Sequence, residues 1–97
     1  MTVKITDTAD LELGQAIDYY NNKEMGLGNK FLAEIDESIE LIKKWPKTWQ
    51  LISKRTHRFI MRKFPYILLY AIIDNAIIIT CIGHQKRRPE YFIEKIL

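Results

Sequence analysis

The chain predicts an α+β fold in which a helical hairpin packs on one face of an antiparallel sheet. Three observations predict it. Apolar residues recur at helical spacing through the first half; after Lys47 the period falls to two; and only Met25-Gly26-Leu27-Gly28 separates the two helical segments. The 97 residues suffice for one domain, 1–97, to bury a core without disulfides.

Thr2 to Thr6 (TVKIT) alternates and reads as a first strand. Asp7 and Thr8 offer capping side chains, and Asp10 and Glu12 place negative charge in a first turn, where the helix dipole favours it. Ala9, Leu13, Ala16, Ile17 and Tyr20 then mark a helix over about 8–23, ended by the glycine turn. Leu32, Ile35, Ile39 and Ile42 form the stripe of a second helix over about 29–45, with Phe31 beside it and Pro46 stopping it. Glu34, Asp36, Glu37 and Glu40 read as its wet face, Tyr19, Tyr20 and Tyr70 as core, and Trp45 and Trp49 as packing the helix end against the sheet.

Arg58 to Lys63, Tyr66 to Ile73 and Ala76 to Gly83 read as a three-stranded meander. Phe64-Pro65 and Asp74-Asn75 supply its turns, and Asp-Asn tolerates the positive φ of a two-residue hairpin. Pro89 starts a short C-terminal helix running to Leu97. The order is β-α-α-β-β-β plus that helix. Regular pairing puts Arg58, Ile60, Arg62, Ile67, Leu69, Ala71, Ile78, Thr80 and Ile82 on one sheet face, with Ile82 opposite Ile67. Phe59, Met61, Leu68, Tyr70, Ile77, Ile79 and Cys81 fall on the other, under the helices. Both faces are apolar, so a partner or a ligand groove is expected to cover the arginine-bearing one.

Charge is unevenly distributed. Residues 1–53 carry six Lys/Arg and nine Asp/Glu; residues 54–97 carry nine Lys/Arg and three Asp/Glu, within a net charge of +3. The second half therefore attracts a polyanion or an acidic partner. The single cysteine, Cys81, cannot form an internal bridge and fits a reducing cytoplasm. The start has acids where a secreted chain has its apolar stretch, and the apolar runs are too short to span a bilayer, so a cytoplasmic location without membrane contact is expected. No His, Cys or carboxylate cluster has metal-ligand spacing, and there is no glycine-rich phosphate loop; no metal and no cofactor are expected.

Directly after the last strand, GHQKRRPEYF (83–92) displays a histidine, three consecutive cations and two aromatics. Together with Asp18-Tyr19-Tyr20, Gly26-Leu27-Gly28, Phe31-Leu32, Glu34-Ile35, Pro46, Arg58, Phe64-Pro65-Tyr66 and Tyr70, this order resembles the RelE/ParE superfamily of bacterial toxins from about residue 3 to residue 92. The resemblance implies the toxin of a type II toxin–antitoxin pair, a class often called plasmid stabilisation proteins, with the same β-α-α-β-β-β layout. It also implies a cognate antitoxin that wraps the toxin, giving a joint oligomer. RelE-type members cut mRNA on the ribosome as mRNA interferases, which are endoribonucleases; ParE-type members inhibit DNA gyrase and lack the nuclease residues.

On the nuclease branch the resemblance implies catalytic roles for His84, Arg62 and Tyr91, and RNA or phosphate contacts from Arg58, Lys86, Arg87 and Arg88. Metal-free cleavage by a 2′-hydroxyl needs a base, a cation on the phosphorane and an acid for the leaving oxygen. An imidazole suits either proton transfer, guanidinium groups suit the charge, and a tyrosine can stack on a base or donate a proton. His84, Arg58, Arg62 and Tyr91 favour ribosome-dependent mRNA cleavage as the first reading. Ile60, Ile67 and Gln85 stand where that branch has a lysine and two arginines and favour the gyrase-directed alternative, with an inactivated toxin that only binds as a third class. His84 is expected to leave its strand close to Arg62, so that the two share one basic groove with Arg87 or Tyr91. His57 reads as surface.

Overall fold

A computed structural model describing residues 1–97 contains β1 (Thr2–Ile5), α1 (Asp7–Lys23), α2 (Leu27–Lys44), β2 (Gln50–Leu51), β3 (Thr56–Ile60), β4 (Tyr66–Ile73), β5 (Ala76–His84) and α3 (Pro89–Ile93). The five strands form one sheet in the order β1-β5-β4-β3-β2, with β1 parallel to β5 and the remaining pairs antiparallel. The expected α+β layout is therefore present, with the short edge strand β2 added.

Each element follows from local chemistry. The α1 cap is Thr6, whose hydroxyl accepts the Ala9 N–H at 3.2 Å, rather than Asp7 or Thr8. Gly26 turns the hairpin at φ 86°. Gly28 lets the two helices close up: a Cβ there would lie 2.2 Å from the Ile17 carbonyl oxygen, and its N–H donates to Asn21 Oδ1 at 2.8 Å. Asp74 (φ 48°) and Asn75 (φ 63°) make the two-residue hairpin between β4 and β5, as their residue types require.

The main core lies between the helical hairpin and the sheet. Ala9 and Ala16 of α1 and Phe31, Ile35 and Ile42 of α2 pack with Phe59, Met61, Leu68, Tyr70, Ile77, Ile79 and Ile82. Trp49 packs at a tilt against Phe59 with ring centres 4.8 Å apart, whereas Trp45 and Tyr19 are more than half exposed and do not belong to the core. Glu34 is buried on α2, not on its wet face.

The register departs from the regular pairing at one point. Leu69 faces Cys81 but Tyr70 faces Ile79, so Thr80 is an extra residue, a bulge in β5. One inserted residue exchanges the faces beyond it. Cys81 consequently joins Ile67 and Leu69 on the second face, while Ile82 joins the helix-side core and lies opposite Leu68 rather than Ile67.

That second face is covered in part by the chain itself. Tyr91, Phe92 and Ile96 pack on Ile67, Leu69 and Cys81, and Leu97 exchanges two 3.1 Å hydrogen bonds with the Thr56 hydroxyl on β3. The chain thus supplies part of the cover expected from a partner or a ligand groove: α3 ends at Ile93, and residues 94–97 fold back along the sheet instead of prolonging the helix to Leu97. Ile60 and Ile93 stay exposed beside it.

Candidate functional site

Three elements meet where β5 ends. Gly83 is the close-approach point: a Cβ there would fall 2.8 Å from the Phe92 ring and 3.1 Å from the Tyr91 ring, so glycine is what lets α3 lie on the strand. The loop from β5 folds back tightly, the Arg87 N–H donating to the His84 carbonyl at 2.9 Å. A cavity of about 330 Å³ opens between α1, β5 and α3, lined by Glu12, Gln15, Tyr19, Tyr66, His84, Arg87 and Tyr91 among others.

Glu12 is the centre of this cavity, and the sequence reading placed it only as a first-turn charge. It is 8 % exposed. Its carboxylate accepts the Ile82 N–H at 2.9 Å, the Tyr91 hydroxyl, and Lys95 Nζ at 3.3 Å, with the Cys81 thiol 3.8 Å away. One carboxylate thus ties α1 to β5 and to the C-terminal segment. A signal was present: with Ala9 and Ala16, Glu12 occupies an i, i+3, i+7 stripe of α1 that is otherwise buried and apolar.

The burial has electrostatic consequences. Desolvation and the hydrogen bond to Glu12 push the Tyr91 phenol far above its ordinary range, so its proton stays on the oxygen. Desolvation, with the Glu12 charge beside it, pushes the Cys81 thiol up to about 12. Arg87 lies 4.6 Å and Lys95 Nζ 4.0 Å from the Tyr91 ring centre, two cation–π contacts on one aromatic.

His84 sits half-buried with its ring edge-on to Tyr66 at 5.3 Å. Its Nδ1 accepts the Lys86 N–H at 3.1 Å. The accepting nitrogen carries no hydrogen, so the neutral ring is protonated on Nε2, and its basic nitrogen is turned toward its own chain.

The cations are not all gathered here. Arg87 joins His84 and Tyr91 as expected. Arg58 lines a different cavity on the second face, where it meets Arg87 again beside Gln85. Its guanidinium donates to Gln50 Oε1, and its Nε is sealed from water without a partner. Arg62 is not brought to the groove: it lies after β3 ends at Ile60, in the loop to β4, and shares a cavity with Glu34, Glu37 and Lys63 against α2. The expected strand over 58–63 is too long at its C-terminal end, because residues 62–65 are bent, and this loop carries Arg62 away from His84. Lys86 and Arg88 are exposed and line none of the three cavities described. No group of His, Cys, Asp or Glu is arranged to hold a metal ion.

A helical hairpin on a five-stranded sheet, with an aromatic-lined cavity where β5 meets α3, defines a small α+β domain. The chain belongs to the ParE toxin family of type II toxin–antitoxin systems of the parDE kind, whose family model matches residues 3–89. It is also similar in fold to a solved structure described as the chromosomal ParDE toxin–antitoxin system from P. aeruginosa, with a TM-score of 0.76 and 16 % identity over 87 % of this chain and 95 % of that one. Curated proteins give no match.

Proposed function

We propose that this ParE-family toxin acts by binding DNA gyrase rather than by cutting mRNA. The observation that carries this reading is the state of its proton-transfer groups. The Tyr91 hydroxyl donates to Glu12 and the basic Nδ1 of His84 accepts from Lys86, so each is engaged within the chain. Arg62, the cation a nuclease would set beside them, lines another cavity. A general base needs a free lone pair within hydrogen-bond reach of the hydroxyl it deprotonates. Ile60, Ile67 and Gln85 replace three basic residues of the nuclease branch, which further supports a binding inhibitor.

In this reading the cavity around Glu12 keeps α3 in place, and His84, Arg87 and the exposed cations Lys86 and Arg88 form the contact surface toward the target. A cognate antitoxin neutralises the toxin in the cytoplasm by placing an acidic, amphipathic segment against the basic second half and the exposed Ile60 and Ile93. Co-expression with such an antitoxin is expected to give a stable complex; a growth-neutral chain that stays monodisperse alone would count against this partner.

The second reading, ribosome-dependent mRNA cleavage, is favoured by one observation: His84, Arg87 and Tyr91 do share a cavity. Primer extension on mRNA from induced cells separates the two. The gyrase reading expects no codon-phased cuts and induction of the DNA-damage response. Codon-phased cuts that vanish in His84→Ala would overturn it.

A further inference from the structure

A basic cavity lies at the other end of the sheet. β4 runs from Tyr66, beside His84, to Ile73, and this cavity reaches Ile72. It measures about 510 Å³ and is lined by Lys47, Trp49, Lys54, Arg55 and His57 among others, with no carboxylate in its wall. None of its three cations has an ion-pair partner in the chain; the two ion pairs present are Lys43–Glu40 and Lys95–Glu12.

His57 marks this cavity as more than a run of surface charge. It is 7 % exposed, contrary to its reading as a surface residue. The ring stacks flat on Tyr70, with centres 5.0 Å apart and planes at 10°, and the Tyr70 hydroxyl donates to the Pro46 carbonyl at 2.7 Å. Nδ1 lies 2.8 Å from the Trp49 carbonyl oxygen, which can only accept, so Nδ1 carries a hydrogen. Nε2 has no hydrogen-bond partner, yet it is not among the sealed, unpartnered side-chain atoms, of which Arg58 Nε is the one instance. The ring is held by its stack on Tyr70 and by Nδ1, and this buried histidine lines a cavity whose charged side chains are all cationic.

We propose that this cavity binds a phosphate group. Lys47, Lys54 and Arg55 supply the charge, and the imidazolium of His57 donates from Nε2 to a phosphate oxygen. With Lys47, Lys54 and Arg55 in the wall and no carboxylate, the complementary ligand is one that brings negative charge. A phosphate dianion balances this set better than a single carboxylate. Tying down the loop before β2 would need only Nδ1; the open Nε2 is what that role leaves unexplained. The phosphate can come from inorganic phosphate or from a nucleic-acid strand.

The test is a titration of the full-length, isotope-labelled chain with inorganic phosphate, with potassium chloride at matched ionic strength, and with a short oligonucleotide. The ¹⁵N resonance of His57 Nε2 is followed throughout. Saturable movement toward the protonated position with phosphate but not with chloride is expected. Movement with the oligonucleotide as well assigns the phosphate to nucleic acid; movement with phosphate alone assigns it to the free anion. Lys54→Gln/Arg55→Gln alters only exposed side chains and is expected to weaken binding roughly tenfold or more, as loss of charge-assisted hydrogen bonds does. Shifts equal in chloride and phosphate, or an affinity unchanged in the double variant, would overturn the proposal.

Discussion

Replacing Glu12 by Ala removes the one group that holds α1, β5 and the C-terminal segment together. The Ile82 N–H, on a residue 1 % exposed, loses its 2.9 Å acceptor and has no water to turn to. An unsatisfied buried donor costs about 1–3 kcal/mol, and the hydrogen bond from Tyr91 to a charged acceptor contributes a further ~1.5–3 kcal/mol. Lys95, whose side chain is only 17 % exposed, also loses its counter-charge, which adds to the loss. Against these stands the desolvation of the carboxylate itself, which the variant no longer bears. The net expectation is a loss of about 2–4 kcal/mol in urea denaturation. Local opening should accompany it, read as faster labelling of Cys81, the only cysteine and fully buried beneath α3. A double-mutant cycle between Glu12→Gln and Tyr91→Phe should give a coupling of about 0.5–3 kcal/mol. A Glu12→Ala cost within about 0.5 kcal/mol, the range of surface changes, would refute the account of this residue.

The two contrasting glycines are expected to respond oppositely. Gly28→Ala drives a methyl group against the Ile17 carbonyl and should cost about 1–3 kcal/mol, whereas Gly14→Ala, with nothing within 4 Å inside α1, should gain about 0.5–1 kcal/mol in the same denaturation assay. Alkali should unfold the protein through its buried acids. Desolvation raises the Cys81 thiol from 9.0 to about 12 and the Tyr70 phenol from 10.0 to about 12. Both ionise more readily unfolded, so stability is full below about pH 9 and falls as pH rises toward 12. A midpoint denaturant concentration that stays constant over that window would contradict this burial. Trp49→Ala should loosen the packing of the partly buried Trp49 on Phe59, seen as a loss of near-ultraviolet ellipticity and a loss of stability below the ~3–5 kcal/mol of a fully buried aromatic.

The helical hairpin, the meander and the Asp74-Asn75 turn were legible because each rests on local periodicity or on one residue's φ preference. The Thr80 bulge was not. In Ile77-Ile78-Ile79-Thr80-Cys81-Ile82 the apolar run reads alike in either phase, so no residue betrays the slip that sends Cys81 to one face and Ile82 to the other. The same blindness hid the fate of the second face. Its apolar character was visible, but residues 94–97 read as the end of a helix running to Leu97, and no local signal announces that they fold back onto Thr56. His57 and Glu12 were missed because their partners, Trp49, Ile82 and Tyr91, are fixed by tertiary packing. His84, Arg87 and Tyr91 were found together because a single tight turn connects them; Arg62 was misplaced because the strand before it is shorter than its alternation suggests.

The most direct test of gyrase-directed action is a supercoiling assay with purified gyrase and the purified chain, wild type against Arg87→Glu. Arg87 is exposed, so reversing its charge should leave the fold intact by circular dichroism while removing the cation at the centre of the contact surface. The account predicts dose-dependent inhibition by the wild type and a loss of at least about tenfold in potency for the variant, the scale of one interfacial charge contact. Undiminished supercoiling in the presence of the wild-type chain, under conditions where it halts growth, would contradict it.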